Sequence, residues 1–206
     1  MSRLHANRLR PVEMPPLPAE ERAAGHLRFI RQTLERAGSF TAVSGWGQAA
    51  VGAIGLAAGF VANRQEDPAA WLATWLVSAI VCTSLAAVAM RRKAVRLGIP
   101  MVSGPARRFA LAFTPPLVTG AVLTVVLYRA GLLQHLPGMW LLLFGTALVT
   151  GGAMSVNVVP VMGLCFMLTS VAAFLLPATW GDILMAAGFG GLNLVFGIII
   201  AVKHGG

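Results

Sequence analysis

The chain has 206 residues, of which 57% are hydrophobic and only 11% are charged, and its formal net charge is +9. A soluble domain carries about 25% charged residues, so this composition excludes an ordinary soluble protein. The positive charge does not indicate nucleic-acid binding, because in a protein that crosses a membrane several times Lys and Arg mark the cytoplasmic loops. The two cysteines, Cys82 and Cys165, lie in apolar segments, which argues against a disulfide framework and against a CxxC metal site.

The first 42 residues precede the apolar part of the chain. Residues 1–17 contain three prolines among scattered charges and predict a flexible cytoplasmic tail. Residues 18–38 predict an amphipathic helix, with Leu27, Ile30 and Leu34 on its apolar face. Two placements are open for this helix: on the anionic inner surface of the membrane, or across the cytoplasmic ends of the other helices.

Six apolar segments with almost no charged residues follow. At ~1.5 Å per residue, each segment is long enough to cross a ~30 Å hydrocarbon core as a helix. The predicted spans are 43–62, 69–90, 109–128, 138–156, 159–177 and 183–202. The sequence therefore predicts an all-α polytopic membrane protein, in which a six-helix transmembrane domain at 43–202 consists of three helical hairpins.

The distribution of basic residues predicts the orientation. With the N-terminus inside, the cytoplasmic side has seven Lys and Arg residues in 1–42, six in the loop 91–108, and Lys203. The opposite side has only Arg64 and Arg129. Because positive loops stay in the cytoplasm, we expect both termini to be cytoplasmic.

A Pro-x-x-Trp motif occurs three times, and each copy precedes or begins an even-numbered span. The copies are Pro68–Trp71, Pro137–Trp140 and Pro177–Trp180. Proline is favoured at helix starts and tryptophan at the membrane interface, which explains each copy separately. A threefold repeat of helical hairpins is the alternative interpretation.

The positions of the reactive side chains favour a protein without enzymatic activity. The four histidines and the seven carboxylates all lie outside the predicted spans. A proton-coupled transporter usually keeps an acidic residue at depth in the membrane, so proton- or sodium-driven transport is disfavoured. No span carries a Ser–His pair, an Asp pair or an HExxH motif, and we expect no catalytic residue, metal or cofactor.

Small residues and amides follow helical spacing in spans 1 and 6. The glycines assigned to helix packing are Gly52, Gly55, Gly59, Gly190 and Gly197. Gln48 and Asn193 share these faces, and the favoured interpretation is that they stabilise contacts between helices. In the alternative, Gln48 and Asn193 point into a cavity that opens to the cytoplasmic half, with Asn157 near its mouth. They would then bind a small polar or amphipathic ligand.

Span 3 contains adjacent prolines at 115 and 116, which remove two backbone donors and predict a kink or a break. The loop before it is strongly basic. Its charged residues are Arg91, Arg92, Lys93, Arg96, Arg107 and Arg108. We expect them to contact anionic lipid headgroups, and a cytoplasmic partner protein is the alternative.

Three stretches of the chain resemble a family of small bacterial inner-membrane proteins with six spans and no assigned activity. They are Arg28–Arg31 leading to Ser39–Val43 and Gly45–Gly47, then Val159–Phe166, then Gly188–Gly191. The resemblance covers most of the chain after residue 27. It implies a bacterial inner membrane and identifies no catalytic residue.

The layout is also similar to that of the substrate-binding subunits of energy-coupling vitamin transporters, which have six spans and a cytoplasmic N-terminus. Ala49, Ala53 and Ala57 match the small-residue spacing with which such subunits dock a membrane partner.

Two classes of function are open from the sequence. The first is a structural or interaction subunit, or a homo-oligomer, packed through the glycine faces of spans 1 and 6. The second is a binding or transport module for a small uncharged or amphipathic solute. In both classes the partners are the anionic bilayer and other membrane chains, and nucleic acid is not among them.

Overall fold

The computed structural model describes residues 43–96, 98, 104–153 and 155–204, together with the single residue Ile30. The chain divides into two units, Met1–Ala37 and Gly38–Gly206, and the description below concerns the second unit. The predicted tail at 1–17 and, apart from Ile30, the predicted amphipathic helix at 18–38 lie outside the described residues.

Six long helices form the second unit, and all secondary structure in the described residues is helical. The first five are α1 (Gly45–Ala62), α2 (Pro68–Arg96), α3 (Gly104–Arg129), α4 (Leu136–Gly152) and α5 (Val158–Leu175). The sixth, α6, consists of three consecutive segments: Gly181–Met185, the π-helical Ala186–Leu192, and Asn193–His204. Six helices are long and apolar enough to cross a membrane, which confirms a multi-pass, all-helical protein.

The helix ends follow local sequence signals. Ser44 caps α1 by accepting a hydrogen bond from Gly47 N at 3.2 Å. Asp67 caps α2 by accepting one from Ala70 N at 3.0 Å. At the end of α3, Gly131 has a φ of 71°, a conformation for which glycine is favoured, and the chain turns there.

Two helices differ from their predicted spans in an informative way. The predicted span 69–90 ends at the first charges, whereas α2 continues to Arg96, because a helix does not end where the hydrocarbon does. The π-helical segment Ala186–Leu192 was not predicted. It contains the whole stretch Gly188–Gly191, in which three of the four residues are glycine and the absence of side chains allows a wider turn.

Helices α1 and α6 are in backbone contact along an antiparallel seam, called here the first seam. Gly45, Gly52 and Gly59 are spaced by seven residues and face α6. A Cβ added to Gly52 would lie 2.7 Å from Gly190 O and closer still to Leu194 N. All the glycines that the sequence analysis assigned to helix packing lie in this seam, namely Gly52, Gly55, Gly59, Gly190 and Gly197.

Helices α4 and α5 form a second seam of the same kind. Gly138, Gly145 and Gly152 are again spaced by seven residues, and a Cβ on Gly145 would lie 2.7 Å from Gly163 O. The fully buried Ser170 of α5 donates a hydrogen bond to Gly138 O at 2.8 Å. The sequence analysis did not predict this seam, although the seven-residue spacing of the glycines in span 4 indicated it.

An aromatic cluster connects the two seams. The ring centroids of Phe144 and Phe166 are 5.0 Å apart, and those of Phe144 and Phe189 are 5.1 Å apart. Phe113 of α3 extends the cluster on one side, and Trp75 of α2 extends it on the other. Because α4, α5 and α6 all contribute rings, their relative positions are fixed by tilted and edge-to-face contacts.

The remaining helices, α2 and α3, lie at the periphery. Along most of its length α2 packs against α1, and α3 packs against α4. The two approach each other at one end, where the buried residues Ala94 and Ala106 form a small cluster. Only 6% of the most apolar 18-residue stretch of α2 and 11% of that of α3 are buried, compared with 28–44% in the other helices.

The two ends of the bundle differ in charge. One end, called the acidic end, contains Glu66 and Asp67 in the connection after α1 and Asp182 in the first turn of α6. The other, called the basic end, contains residues 91–96 and 104–108 and the start of α1.

Helix α3 continues through both prolines, so it is not broken there. Pro116 has no N–H to donate to Ala112 O, and Thr150 Oγ1 of α4 lies 3.0 Å from that carbonyl oxygen. The same hydroxyl lies 2.9 Å from Thr146 O and 3.3 Å from Ala147 O in its own helix, so its single proton is shared among three carbonyls. Thr150 thus gives Ala112 O a hydrogen-bond donor in place of the N–H that Pro116 lacks.

We predict that the first seam tolerates no added methyl group. Gly52→Ala places a Cβ against the backbone of α6, so we expect the free energy of unfolding to fall by about 1–3 kcal/mol. Gly191→Ala is the matched control, because a Cβ there has open space. Equilibrium unfolding in mixed micelles measures both variants, and equal effects would contradict the seam.

A second prediction concerns the replacement donor in α3. Thr150→Val removes the only side-chain hydroxyl bonded to Ala112 O among the described residues, and we expect a loss of about 1 kcal/mol. Thr146→Val is the control, since Thr146 Oγ1 donates only to Leu142 O within α4. The same unfolding assay compares them, and the interpretation fails when the control loses as much stability as Thr150→Val.

Candidate functional site

Gln48 and Asn193 lie together in the first seam. Gln48 Nε2 donates a hydrogen bond to Asn193 Oδ1. Asn193 is fully buried, and its Nδ2 donates a second bond to Phe189 O at 2.8 Å. The carbonyl of Phe189 belongs to the π-helical segment, so the amide bridges α1 to the widened turn of α6.

This pair has little room for a solute. The cavity beside Gln48 has a volume of about 20 Å³ and is lined mainly by small residues, including Ser44, Gly47 and Ala86. A single water molecule needs about that much space. Asn157, the third residue of the predicted ligand site, is exposed in the connection before α5 and is not part of the pair. The hydrogen-bonding capacity of Gln48 and Asn193 is therefore used largely for helix packing.

The residues of the vitamin-transporter comparison also divide between two environments. Ala49 is buried against Gly197 in the first seam. Ala53 and Ala57 are exposed. The three alanines therefore do not form one continuous exposed face.

The basic residues lie at the basic end, but they are not equivalent. Five of the six side chains are exposed, namely Arg91, Arg92, Arg96, Arg107 and Arg108. Lys93 is 7% exposed, and its Nζ donates a hydrogen bond to Val43 O at 3.0 Å. Lys93 thus ties α2 to the residue that precedes α1, whereas the arginines are accessible to charged groups outside the bundle.

A second cavity lies at the acidic end. Its volume is about 250 Å³, and three connections of the bundle meet around it. It is lined by Gln65, Glu66, Pro68, Trp71, Leu133, Gln134, Pro137, Ala178, Gly181 and Asp182. The sequence analysis did not predict this site, because its residues come from segments that are far apart in the chain.

A side-chain hydrogen bond spans the cavity wall. Trp71 Nε1 donates to Asp182 Oδ1 at 2.6 Å, which joins the start of α2 to the start of α6. An N–H bond to a carboxylate is stronger than one between neutral groups, so it fixes both side chains. The other carboxylate of the lining, Glu66, comes from the connection between α1 and α2.

The Pro-x-x-Trp motif was the one sequence signal for this region. Pro68, Trp71 and Pro137 line the cavity. The three copies nevertheless make different contacts: Trp71 donates to Asp182, whereas Trp140 Nε1 donates to Thr124 Oγ1 at 3.0 Å. The interpretation as a threefold repeat stays a prediction.

The described residues contain no group of three or more His, Cys, Asp or Glu side chains that could hold a metal ion. No protein-family model matches the chain, and no curated protein or solved structure is significantly similar to it.

We predict that Gln48 and Asn193 stabilise the fold as a coupled pair. Gln48→Leu and Asn193→Leu each remove one hydrogen-bond partner, and a double-mutant cycle isolates their interaction, for which we expect about 0.6–1.7 kcal/mol. Asn193→Leu should cost more than Gln48→Leu, because it also removes the donor to Phe189 O. Unfolding free energies are measured for the wild type, the two single variants and the double variant. A loss in the double variant equal to the sum of the two single losses would show that the pair contributes no interaction energy.

Proposed function

We propose that the protein is a non-enzymatic membrane subunit that assembles with a second copy of itself through α2 and α3. The observation that carries this proposal is the low burial of these two helices, 6% and 11% of their most apolar stretches. The glycine faces of α1 and α6 are in contact within one chain, so they are not available for a contact between chains. The assembly surface is therefore placed on the peripheral helices.

Helix α3 exposes a backbone acceptor at depth in the membrane. Residues 115 and 116 are both proline, so neither donates an N–H to Leu111 O. Thr150 serves Ala112 O, but no described side chain donates to Leu111 O. Leu111 is 63% exposed, and Pro115, one turn further on, is exposed as well. An unpaired carbonyl in hydrocarbon costs several kcal/mol, which favours a partner that supplies a donor there.

Helix α2 exposes donors of the required kind. Thr83 and Ser84 are exposed in the middle of α2. Elsewhere in α2, Thr74 and Ser78 donate to the carbonyls four residues earlier, at 2.9 Å and 2.8 Å. No such bond forms at Thr83 or Ser84 among the described residues. The chain thus carries a free acceptor on one peripheral helix and free donors on the other, which suits pairing between two identical copies related by a twofold axis.

We also propose the orientation and location that the charges indicate. The five exposed arginines of the basic end would face the cytoplasm and contact anionic headgroups, and the acidic end would face outward. The amphipathic helix at 18–38 would lie on the inner surface. A bacterial inner membrane, the resemblance to the six-span bacterial family and the arrangement as three hairpins belong to the same proposal.

Solute binding at Gln48, Asn157 and Asn193 is less well supported. The two buried amides bond to each other, and the cavity beside them has room for about one water molecule.

The proposal predicts that the hydroxyls of α2 stabilise a two-copy assembly. Replacing Thr83 with Val and Ser84 with Ala removes both donors with little change in shape. From the usual strength of such bonds in membranes, we expect the dissociation constant of the two-copy assembly to rise about 3- to 20-fold. Förster transfer between labelled copies, diluted with lipid in vesicles, measures the dissociation constant.

The control replaces Thr74 with Val and Ser78 with Ala on the same helix. Their hydroxyls bond within α2, so assembly should be unchanged. The proposal is contradicted by a protein that stays a single copy at every density, or by control substitutions that weaken assembly equally.

A further inference from the structure

We propose that the cavity at the acidic end is a binding site for a small organic cation, specifically the ammonium group of an amine. The site shares no residue with the contacts proposed for assembly, because its lining residues lie in the connections and at the helix ends, away from Leu111, Thr83 and Ser84.

The size of the cavity suits a small molecule. Its volume of about 250 Å³ equals that of about eight liquid water molecules, below the range typical of drug-sized ligands. Its lining comes from the connections after α1, α3 and α5, so a ligand there contacts three parts of the chain at once. These dimensions suit an alkylammonium head group.

The charge of the lining selects for a cation. Glu66 and Asp182 are its two ionisable residues, and no Lys, Arg or His is among the lining residues. Arg64 precedes the lining in sequence, but its guanidinium lies 3.5 Å from the centroid of the Phe60 ring on α1. Two carboxylates without a cationic partner in the lining make a positive ligand favourable.

The aromatic side chain in the lining, Trp71, favours an organic cation over an inorganic one. Trp71 lines the cavity, and its N–H is fixed by Asp182, so one indole and one carboxylate are held side by side. Carboxylates next to an indole are the elements with which proteins bind substituted ammonium groups, which lose little hydration on an aromatic surface. Gln65 and Gln134 add neutral polar groups for a hydroxyl on the ligand.

An ammonium group reaches this end of the bundle from two sources. One is a small amine in solution, and the other is the head group of a lipid such as phosphatidylethanolamine, since the connections lie where head groups do. Both present the same chemistry to Trp71, Glu66 and Asp182.

The test uses the full chain in nanodiscs of pure phosphatidylglycerol, with choline and ethanolamine as probes. Because Trp71 lines the cavity, we expect a saturable change in tryptophan fluorescence. Dimethylbutanol, the uncharged carbon isostere of choline, should bind at least ~10-fold more weakly. Asp182→Asn keeps an acceptor for Trp71 but removes the charge, and both it and Glu66→Gln should weaken choline binding about 10-fold.

Asp67→Asn is the matched control. It removes the same charge one residue from Glu66, outside the cavity, and asparagine still caps α2. Choline affinity should change less than about 2-fold, because Asp67 does not line the cavity and salt screens a charge that makes no contact with the ligand. A loss as large as that of Asp182→Asn would overturn the site, as would equal binding of dimethylbutanol or no saturable response to either probe.

The source is resolved by repeating the titration with phosphatidylethanolamine in the nanodisc. Weaker apparent choline binding shows that the lipid head group occupies the site, and unchanged binding shows that the site takes a free amine. Both results support an ammonium site.

Discussion

The structure depends on the direct contact between the backbones of α1 and α6. In lipid, apolar side chains gain nothing by moving from the solvent to a neighbouring helix, so helices associate where their backbones approach closely. Glycines at intervals of seven provide that approach on α1, and Gly190 and Gly197 provide it on α6. The bond between Gln48 and Asn193 then fixes the register of the two helices. The widened turn at Ala186–Leu192 contributes as well, because it holds the carbonyl to which Asn193 donates.

The same constraint separates the helices into two groups. Helices α1 and α4, each with glycines spaced by seven, each form one seam, with α6 and α5 respectively, and the aromatic cluster lies between the seams. Helix α2 contains no glycine and α3 has two, Gly104 at its start and Gly120. They pack with side chains on one neighbour and keep most of their surface outside. The internal seams therefore determine which surface is left for another chain.

The six spans were predictable because each requires only a local run of apolar residues, and Pro68, Pro137 and Ser44 mark helix starts by local chemistry. The glycine faces of spans 1 and 6 could also be predicted from the sequence, since helical spacing alone places those residues on one side of each helix. The pairing of Gln48 with Asn193 was not, because it requires knowing that α1 and α6 are neighbours across 145 residues of sequence. The cavity at the acidic end could not be predicted for the same reason. Glu66, Gln134 and Asp182 are far apart in the sequence and come together only when the helices pack.

The bond between Trp71 and Asp182 connects the two proposals physically. It joins the start of α2 to the start of α6, so a cation that binds beside Asp182 acts on the one side-chain hydrogen bond described between those two helices. Helix α6 is held in the first seam by close backbone contact, whereas α2 is peripheral and packs mainly against α1. A ligand that competes for Asp182 would weaken this bond and so act on α2, the helix that carries the hydroxyls assigned to the second copy. Binding at the acidic end and assembly through α2 are then linked, and by thermodynamic reciprocity the assembly must alter the affinity for the cation by the same factor.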